Sequence, residues 1–378
     1  MTKPIPFNRP HFSPASLAAF GEAVTASHFS GDGRFTKACH QLLEESLGVR
    51  KALLTTSCTH ALEMSALLLD IAAGDEVIVP SFTFVSTINA FALRGAKPVF
   101  ADIRPDTLNI DERRLPALIT PRTRAIVVVH YAGVACEMDE IVALAKKHGI
   151  AVVEDNAHGL FGRYRGRWLG TIGELATQSF HETKNFSCGE GGALLINDAR
   201  FIERSEIIRE KGTNRARFFR GQVDKYTWVD LGSSYLPSEL LAALLAPQLS
   251  SWRETQDARQ RIWERYESGL RDWAAANDVR LPVVPAHCDQ AFHMFYLLMP
   301  ALEVRQAFIA HLRAHGVNPT FHYQPLDRAP MAAQFAPQSD ACPVTSDIAD
   351  RLVRLPFFNT LDETDQEYVM NTVREFRS

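Results

Sequence analysis

The chain has 378 residues, 46% of them hydrophobic and 22% charged, and a formal net charge of -4. That length accommodates two or three domains around a large core. The slightly acidic balance gives no general attraction for nucleic acid or for an anionic membrane, so neither is an expected partner. The start, MTKPIPFNRPHF, lacks an apolar signal run. No stretch reaches the roughly 18 apolar residues of a spanning helix, and a cytoplasmic location is expected. Cys39, Cys58, Cys136, Cys188, Cys288 and Cys342 form no C-x-x-C pair, and the thirteen histidines form no H-E-x-x-H. Neither a disulfide framework nor a metal site is expected.

In chain order, KALLTTS (51–57) reads as a strand and THALEMSALLLDIAAG (59–74) as a buried helix ending near Gly74. DEVIVP is the next strand, a helix follows to Gly95, and PVFADI is another strand. RAIVVVHYAG precedes a helix with Met138, Ile141, Val142 and Ala145 on one face, stopped at Gly149; IAVVEDNAHG completes the series. Short apolar strands separated by helices describe a sheet buried on both faces, hence an α/β domain with mostly parallel strands. Beyond about residue 250 a long charged helix carries Ile262, Tyr266, Leu270 and Trp273 along one stripe. A smaller α+β unit follows. The expected division is 1–250, a large domain with the N-terminal segment, and 251–378, a small C-terminal domain.

Four strand ends carry the chemistry. In VVEDNAH an apolar strand ends in Glu154 and Asp155, at the place where open α/β sheets bind ligands. Such an acid either caps the next segment or sits at the floor of a site against a cationic ring nitrogen. TTSCTHAL opens a helix whose first N–H groups suit a phosphate, or simply an N-cap at Ser57 or Thr59. PSFTF places Phe82 and Phe84 after a strand, as core or as a platform for a flat ligand. SFHETKNFSCGEGG holds Lys184 ahead of glycines that permit close backbone approach. A lysine that attacks a carbonyl must be largely neutral, so burial or nearby positive charge must lower its pKa. An anion-binding helix start, an acid and a lysine at the ends of one sheet together match the needs of pyridoxal 5'-phosphate.

The order and spacing of these blocks resemble the DegT/DnrJ/StrS sugar aminotransferases, a branch of the fold-type I, aspartate-aminotransferase-like enzymes. The resemblance runs from SGDGRFTKACHQ to LPFFNTLDETDQEYV, essentially the whole chain. It implies a large domain built on a mostly parallel sheet of the seven-stranded type, a smaller C-terminal α+β domain, and a homodimer with composite active sites. By position, Lys184 matches the lysine that bonds the cofactor aldehyde. Asp155 matches the acid on the pyridine nitrogen, His158 the residue beside the phenolic oxygen, and Phe84 the ring stacked on the cofactor. Thr59, the amides of Cys58 and His60, and Ser179 match the phosphate-binding groups. The family's G-x-N-x-R motif reads GSSYL here, with Ser234 at the asparagine that reaches the partner's phosphate. Within the family, FHETKN and the segment around REKGTNRARFFRGQ are most similar to TDP-4-oxo-6-deoxy-D-glucose transaminases. The implied reaction moves an amino group from L-glutamate, leaving 2-oxoglutarate, to a nucleotide-linked oxo-sugar. Arg215, Arg217, Arg220 and Lys225 are candidate diphosphate contacts, and His322 in FHYQPL is a candidate sugar contact. The alternatives are action at C3 or on a UDP-sugar, and a non-catalytic regulator that binds the cofactor. A dehydratase would replace the lysine with histidine. A cysteine desulfurase would need a nucleophilic cysteine on a mobile loop, and Cys188 lies too close to Lys184 to be one.

Overall fold

The computed structural model describes residues 4–336 and 341–377. After helices α1 (Pro14–Thr25) and α2 (Arg34–Leu47), the chain alternates strands with helices. These are β1 (Lys51–Thr55), α3 (Cys58–Leu68), β2 (Glu76–Pro80), α4 (Ser86–Ala92), β3 (Lys97–Ala101), β4 (Thr123–Val129), α5 (Met138–His148), β5 (Ala151–Asp155), β6 (Leu175–Ser179), β7 (Gly192–Ile196) and α6 (Ile202–Arg209). The seven strands form one sheet in the order β1-β7-β6-β5-β4-β2-β3. β7 runs antiparallel to both its neighbours, and every other pairing is parallel. The ends of β1, β2, β4, β5 and β6 therefore share one edge with the start of β7.

The near-continuous apolar strands are explained by burial on both faces. Leu53, Val77, Val79, Val127, Val153 and Leu194 face a core closed by α3 and α4. Their alternates Leu54, Ala176, Ala193 and Leu195 meet α2 and α7 (Glu239–Ser250), while Ile126, Val128 and Val152 meet α5. Each fully buried Val or Leu contributes roughly 1.5–3 kcal/mol relative to exposure, so period-two alternation has no polar face to display. The helix expected to Gly74 ends at Leu68 instead; Asp70 takes a positive φ there, and Ala72 N–H is held by the Asp75 carboxylate 2.9 Å away.

The long helix α8 spans Trp252–Ala276 and buries the expected stripe of Ile262, Tyr266, Leu270 and Trp273. It packs with α9 (Leu302–Ala314) and α11 (Glu363–Glu375) around a two-stranded ribbon of β8 (Tyr296–Leu298) and β9 (Leu352–Arg354), which α10 (Pro343–Arg351) leads into. Ile5 also packs into this second core and bridges to Val317. The first residues of the chain thus belong, by contact, with its last hundred.

Candidate active site

A cavity of about 1080 Å³ opens along the shared strand edge, between the sheet and the C-terminal unit. One end is the start of α3. Ser57 caps the helix, its Oγ accepting from His60 N–H at 3.1 Å, which leaves the amides of Cys58 and Thr59 without a partner among the described residues. Thr59 Oγ1 donates to Ser86 Oγ at 2.8 Å, and Ser179, at the end of β6, lines the same end. Gly192 makes this corner possible, because a Cβ there would lie 2.4 Å from the Cys58 nitrogen. Partly positive N–H groups converge on a space kept free of side chains, which is an anion seat.

The two acids at the end of β5 separate by strand alternation. Glu154 points away from the cavity and is fully occupied. It meets His130 Nε2 at 2.9 Å and accepts from the amides of Gly170, Ile172 and Gly173 at 2.7–2.8 Å. These hydrogen bonds hold its carboxyl below the usual range despite complete burial. Asp155 faces the cavity. It accepts from Thr87 Oγ1 at 2.7 Å and Ala157 N–H at 3.2 Å, and has no cationic side chain within ion-pair distance among the described residues. Burial raises its pKa, against those two hydrogen bonds and the charge of Lys184. A buried carboxylate so placed is completed by a cation from outside the chain.

Lys184 follows β6 in a turn tied by its own N–H to the His181 carbonyl, 3.0 Å away. Its amine lines the cavity and forms no ion pair among the described residues. Burial lowers its pKa from 10.5 to about 8, with the Arg354 charge acting in the same direction. The opposite wall comes from the C-terminal unit and the end of β4, and His158, in the turn after β5, reaches across to it. His158 stacks on His293, with ring centroids 4.2 Å apart, and its Nε2 lies 3.4 Å from Tyr323 Oη. His158 Nδ1 is buried with no partner among the described residues. Burial depresses the pKa of His158, His293 and His322, so all three imidazoles are neutral near pH 7. His322 Nδ1 meets Tyr131 Oη at 3.0 Å. Phe84 lines the opening with 56% of its surface exposed.

A profile of the DegT/DnrJ/EryC1/StrS aminotransferase family matches residues 13–374. The chain belongs to that family. It is 31% identical to the spore coat polysaccharide biosynthesis protein SpsC of Bacillus subtilis, over 97% of each chain. The crystal structure of the aminotransferase TlmJ from Streptoalloteichus hindustanus superposes with a TM-score of 0.90 at 30% identity, over 98% of each chain. A putative sugar aminotransferase, Spr1654 of Streptococcus pneumoniae in its PLP-form, shares the fold at 24% identity, with a TM-score of 0.89 over 98% of each chain.

This family is dependent on pyridoxal phosphate, and the residues present fit that group. Cys58, Thr59 and Ser179 offer donors to a phosphate, Asp155 lacks a cation, His158 Nδ1 lacks a partner, Lys184 is an unpaired amine of lowered pKa, and the uncovered face of Phe84 can take a flat ring. Other expected residues are not brought to the cavity within one chain. His60 spends its amide on Ser57, and its ring on Thr56 and Tyr235. Arg215, Arg217 and Arg220 pair with Glu210, Glu203 and Glu206 of the adjacent segment. Lys225 and Ser234 are exposed, away from the cavity lining. Thr87, Tyr131, His293, Tyr323 and Arg354 line or support the site and were missed by the sequence reading. For Arg354 a signal existed, a charge inside the apolar run LVRLPFF.

Proposed function

We propose that this aminotransferase transfers an amino group from L-glutamate to a nucleotide-linked oxo-sugar, TDP-4-oxo-6-deoxy-D-glucose, giving TDP-4-amino-4,6-dideoxy-D-galactose. The observation that carries the chemistry is the meeting of Lys184 and Asp155 in one cavity beside the start of α3. When bound, pyridoxal phosphate supplies an electron sink for the carbanion formed at the substrate carbon. Lys184 serves as the base and then the acid that carries the proton between that carbon and the acceptor atom, and its lowered pKa suits an amine that must be neutral to do so. Asp155 would hold a positive charge on the ring nitrogen of the bound cofactor, and Thr87 and Ala157 hold its carboxylate in place. His158 would stand beside the cofactor's phenolic oxygen, and Tyr323 and His322 present neutral polar groups to the substrate. The choice of the TDP-4-oxo sugar rests on the resemblance in FHETKN and the segment after REKGTN.

The reading takes residues 1–250 as the cofactor-binding unit, 251–378 as the smaller one, and the working form as a homodimer. Exposed Phe84 and Val85 at the cavity lining, and exposed Phe219, Trp228 and Leu231 elsewhere on the chain, support a second copy as their cover. Ser234 and Arg215–Arg220 lie on the same excursion, joined by the bridge of Glu210 to Ser234, and enter the proposal as groups the second copy presents. The test is spectroscopic. L-glutamate should convert the visible band of the lysine-bound cofactor, the TDP-4-oxo sugar should restore it, and NMR should show a 4-amino product. Restoration by a 3-oxo or UDP-linked sugar alone would overturn the substrate assignment.

A further inference from the structure

Asn185 follows Lys184 in the chain, yet the hydrogen-bond partners of its side chain all belong to the C-terminal unit. Its Nδ2 donates to Ala291 O at 2.7 Å and to Gln256 Oε1 at 3.4 Å, and its Oδ1 meets His293 Nδ1 at 2.9 Å. Its carbonyl accepts from Asn359 Nδ2 at 3.1 Å. These partners fix the amide's orientation, because the Ala291 carbonyl can only accept and so must face Nδ2. Oδ1 is left facing His293, and in the neutral imidazole the proton therefore sits on Nδ1. His293 is buried, lines the cavity, and lays its face on His158 with the ring planes 15° apart. Arg259 of α8 braces the arrangement. It donates from Nε to Phe292 O at 2.8 Å, from Nη2 to His293 O at 2.6 Å and from Nη1 to Asn359 Oδ1 at 2.6 Å. Arg259 is buried and has no carboxylate at ion-pair distance among the described residues, so carbonyl oxygens alone answer its charge. Phe292, one of the residues it holds, has a φ of 48°, a left-handed conformation that costs an L-residue roughly 1–2 kcal/mol. A buried cation and a strained turn thus converge on the two segments that grip Asn185.

We propose that His293 is a positioning residue for the transamination, acting in two directions from one ring: its Nδ1–H holds Asn185 and with it the turn that carries Lys184, and its face holds the plane of His158. The assignment rests on the transaminase reading above and deepens it. His158 makes a single long hydrogen bond, 3.4 Å to Tyr323 Oη, and its Nδ1 has no partner among the described residues, so flat contact with His293 is the main restraint on its ring. The Lys184 turn is closed on itself by the Lys184 N–H to His181 O bond, and Asn185 fastens it across to the C-terminal unit. Such fastening matters because a misplacement of about 1 Å at a reacting group can cost about 100-fold in rate. A histidine kept for packing alone would respond to the size of its replacement, and not to which of its two contacts survives.

His293→Asn and His293→Phe separate the two contacts. The asparagine amide nitrogen falls where Nδ1 lies and keeps the bond to Asn185 without the ring; phenylalanine keeps the ring and loses the bond. The first readout is the pH dependence of pyridoxal phosphate capture by the cofactor-free protein, which reports the amine of Lys184 in the cavity it shares with Cys58, Asp155 and Arg354. The second is the pH at which the visible band of the holoenzyme shifts, which reports the groups around the bound ring, His158 included. In His293→Phe the capture profile should move up by about one pH unit as water reaches a loosened amine, with the band shift within about 0.3 unit of wild type. In His293→Asn the band shift should move by about one unit and the capture profile by less than about 0.3. Asn185→Leu removes the other end of the bond and should repeat the His293→Phe result, with the double variant adding nothing further. That crossed pattern supports the assignment, and any other overturns it. Should a His293 variant fail to fold by circular dichroism, Asn185→Leu decides: an upward move of its capture profile supports the tie to Lys184, and a profile matching wild type overturns it. Wild-type holoenzyme inert to L-glutamate would defeat the transaminase reading, and the capture profiles would still decide the role of His293.

Discussion

The two walls of the cavity are built on opposite principles. On the sheet side, Asp155 is tied to Thr87, Thr59 to Ser86, and the Cys58 thiol to Thr177 Oγ1 at 3.4 Å, while the Lys184 amine and the amides of Cys58 and Thr59 stay open among the described residues. On the C-terminal side stand the neutral imidazoles of His293 and His322, the first stacked on His158 from beyond β5, and the guanidinium of Arg354, which has no ion pair among the described residues. The sheet wall is organised before anything binds, as a wall that holds a cofactor should be. The other wall leaves donors open, as suits a surface that must receive two different substrates in turn.

The most severe test of that division is Lys184→Ala. Transamination should fall by at least about 10⁴-fold, and the visible absorbance of the lysine-bound cofactor should vanish; an active variant would sink the assignment. Asp155→Asn should lower turnover by about 100- to 1000-fold through loss of a fixed charge, with the fold intact by circular dichroism. Its neighbour makes the contrast. Glu154→Gln faces the other way and breaks a buried, bonded pair, so urea denaturation should show a loss of about 3 kcal/mol, with a smaller effect on turnover than Asp155→Asn. Because the Glu154 pKa is depressed in the folded protein, its contribution is present above the ordinary carboxylate range and lost as pH falls through the folded value.

Lys184 titrates the sheet wall from the other direction. With its pKa lowered to about 8, capture of pyridoxal phosphate by the cofactor-free protein should accelerate as pH rises through 8, where the amine loses its proton. Between that value and 10.5 the unfolded chain holds the extra proton, so stability from this group rises with pH across the window. A capture rate that goes on rising up to 10.5, with no levelling above about 8, would show that burial does not tune the amine. The mildest expected change is Phe84→Ala, weakening cofactor binding by about 1 kcal/mol, measured by fluorescence titration.

This contrast also explains what could be read from the sequence. The sheet wall was legible because each of its residues follows an apolar strand: Asp155 after AVVE, Ser179 after LATQ, Ser57 after KALLT. A strand end is a local signal. Glu154 and Asp155 looked equivalent because alternation decides which side chain faces the cavity, and the strand's facing is set by distant helices. The C-terminal wall had no such grammar. His293 and Tyr323 lie in irregular segments, and Thr87 looked like any helical threonine until Asp155 was seen beside it. Arg215, Arg217 and Arg220 read as a basic loop, yet Glu203, Glu206 and Glu210 neutralise them from the preceding turns.

The position of Phe7 has a consequence for how this protein comes into being. Its ring lies on Arg354 and its carbonyl accepts from Phe357 N–H at 3.2 Å, while Asn8 donates to the Glu182 carbonyl. A chain emerging from the ribosome carries Phe7 uncovered until Arg354 and Phe357, far downstream in sequence, have been made. The sheet can form before then, but the mouth of the cavity closes only when these two distant segments meet. Cofactor capture by a nascent chain therefore waits on those partners, and Ile5 and Phe7, uncovered until then, are where chaperones would find their hold.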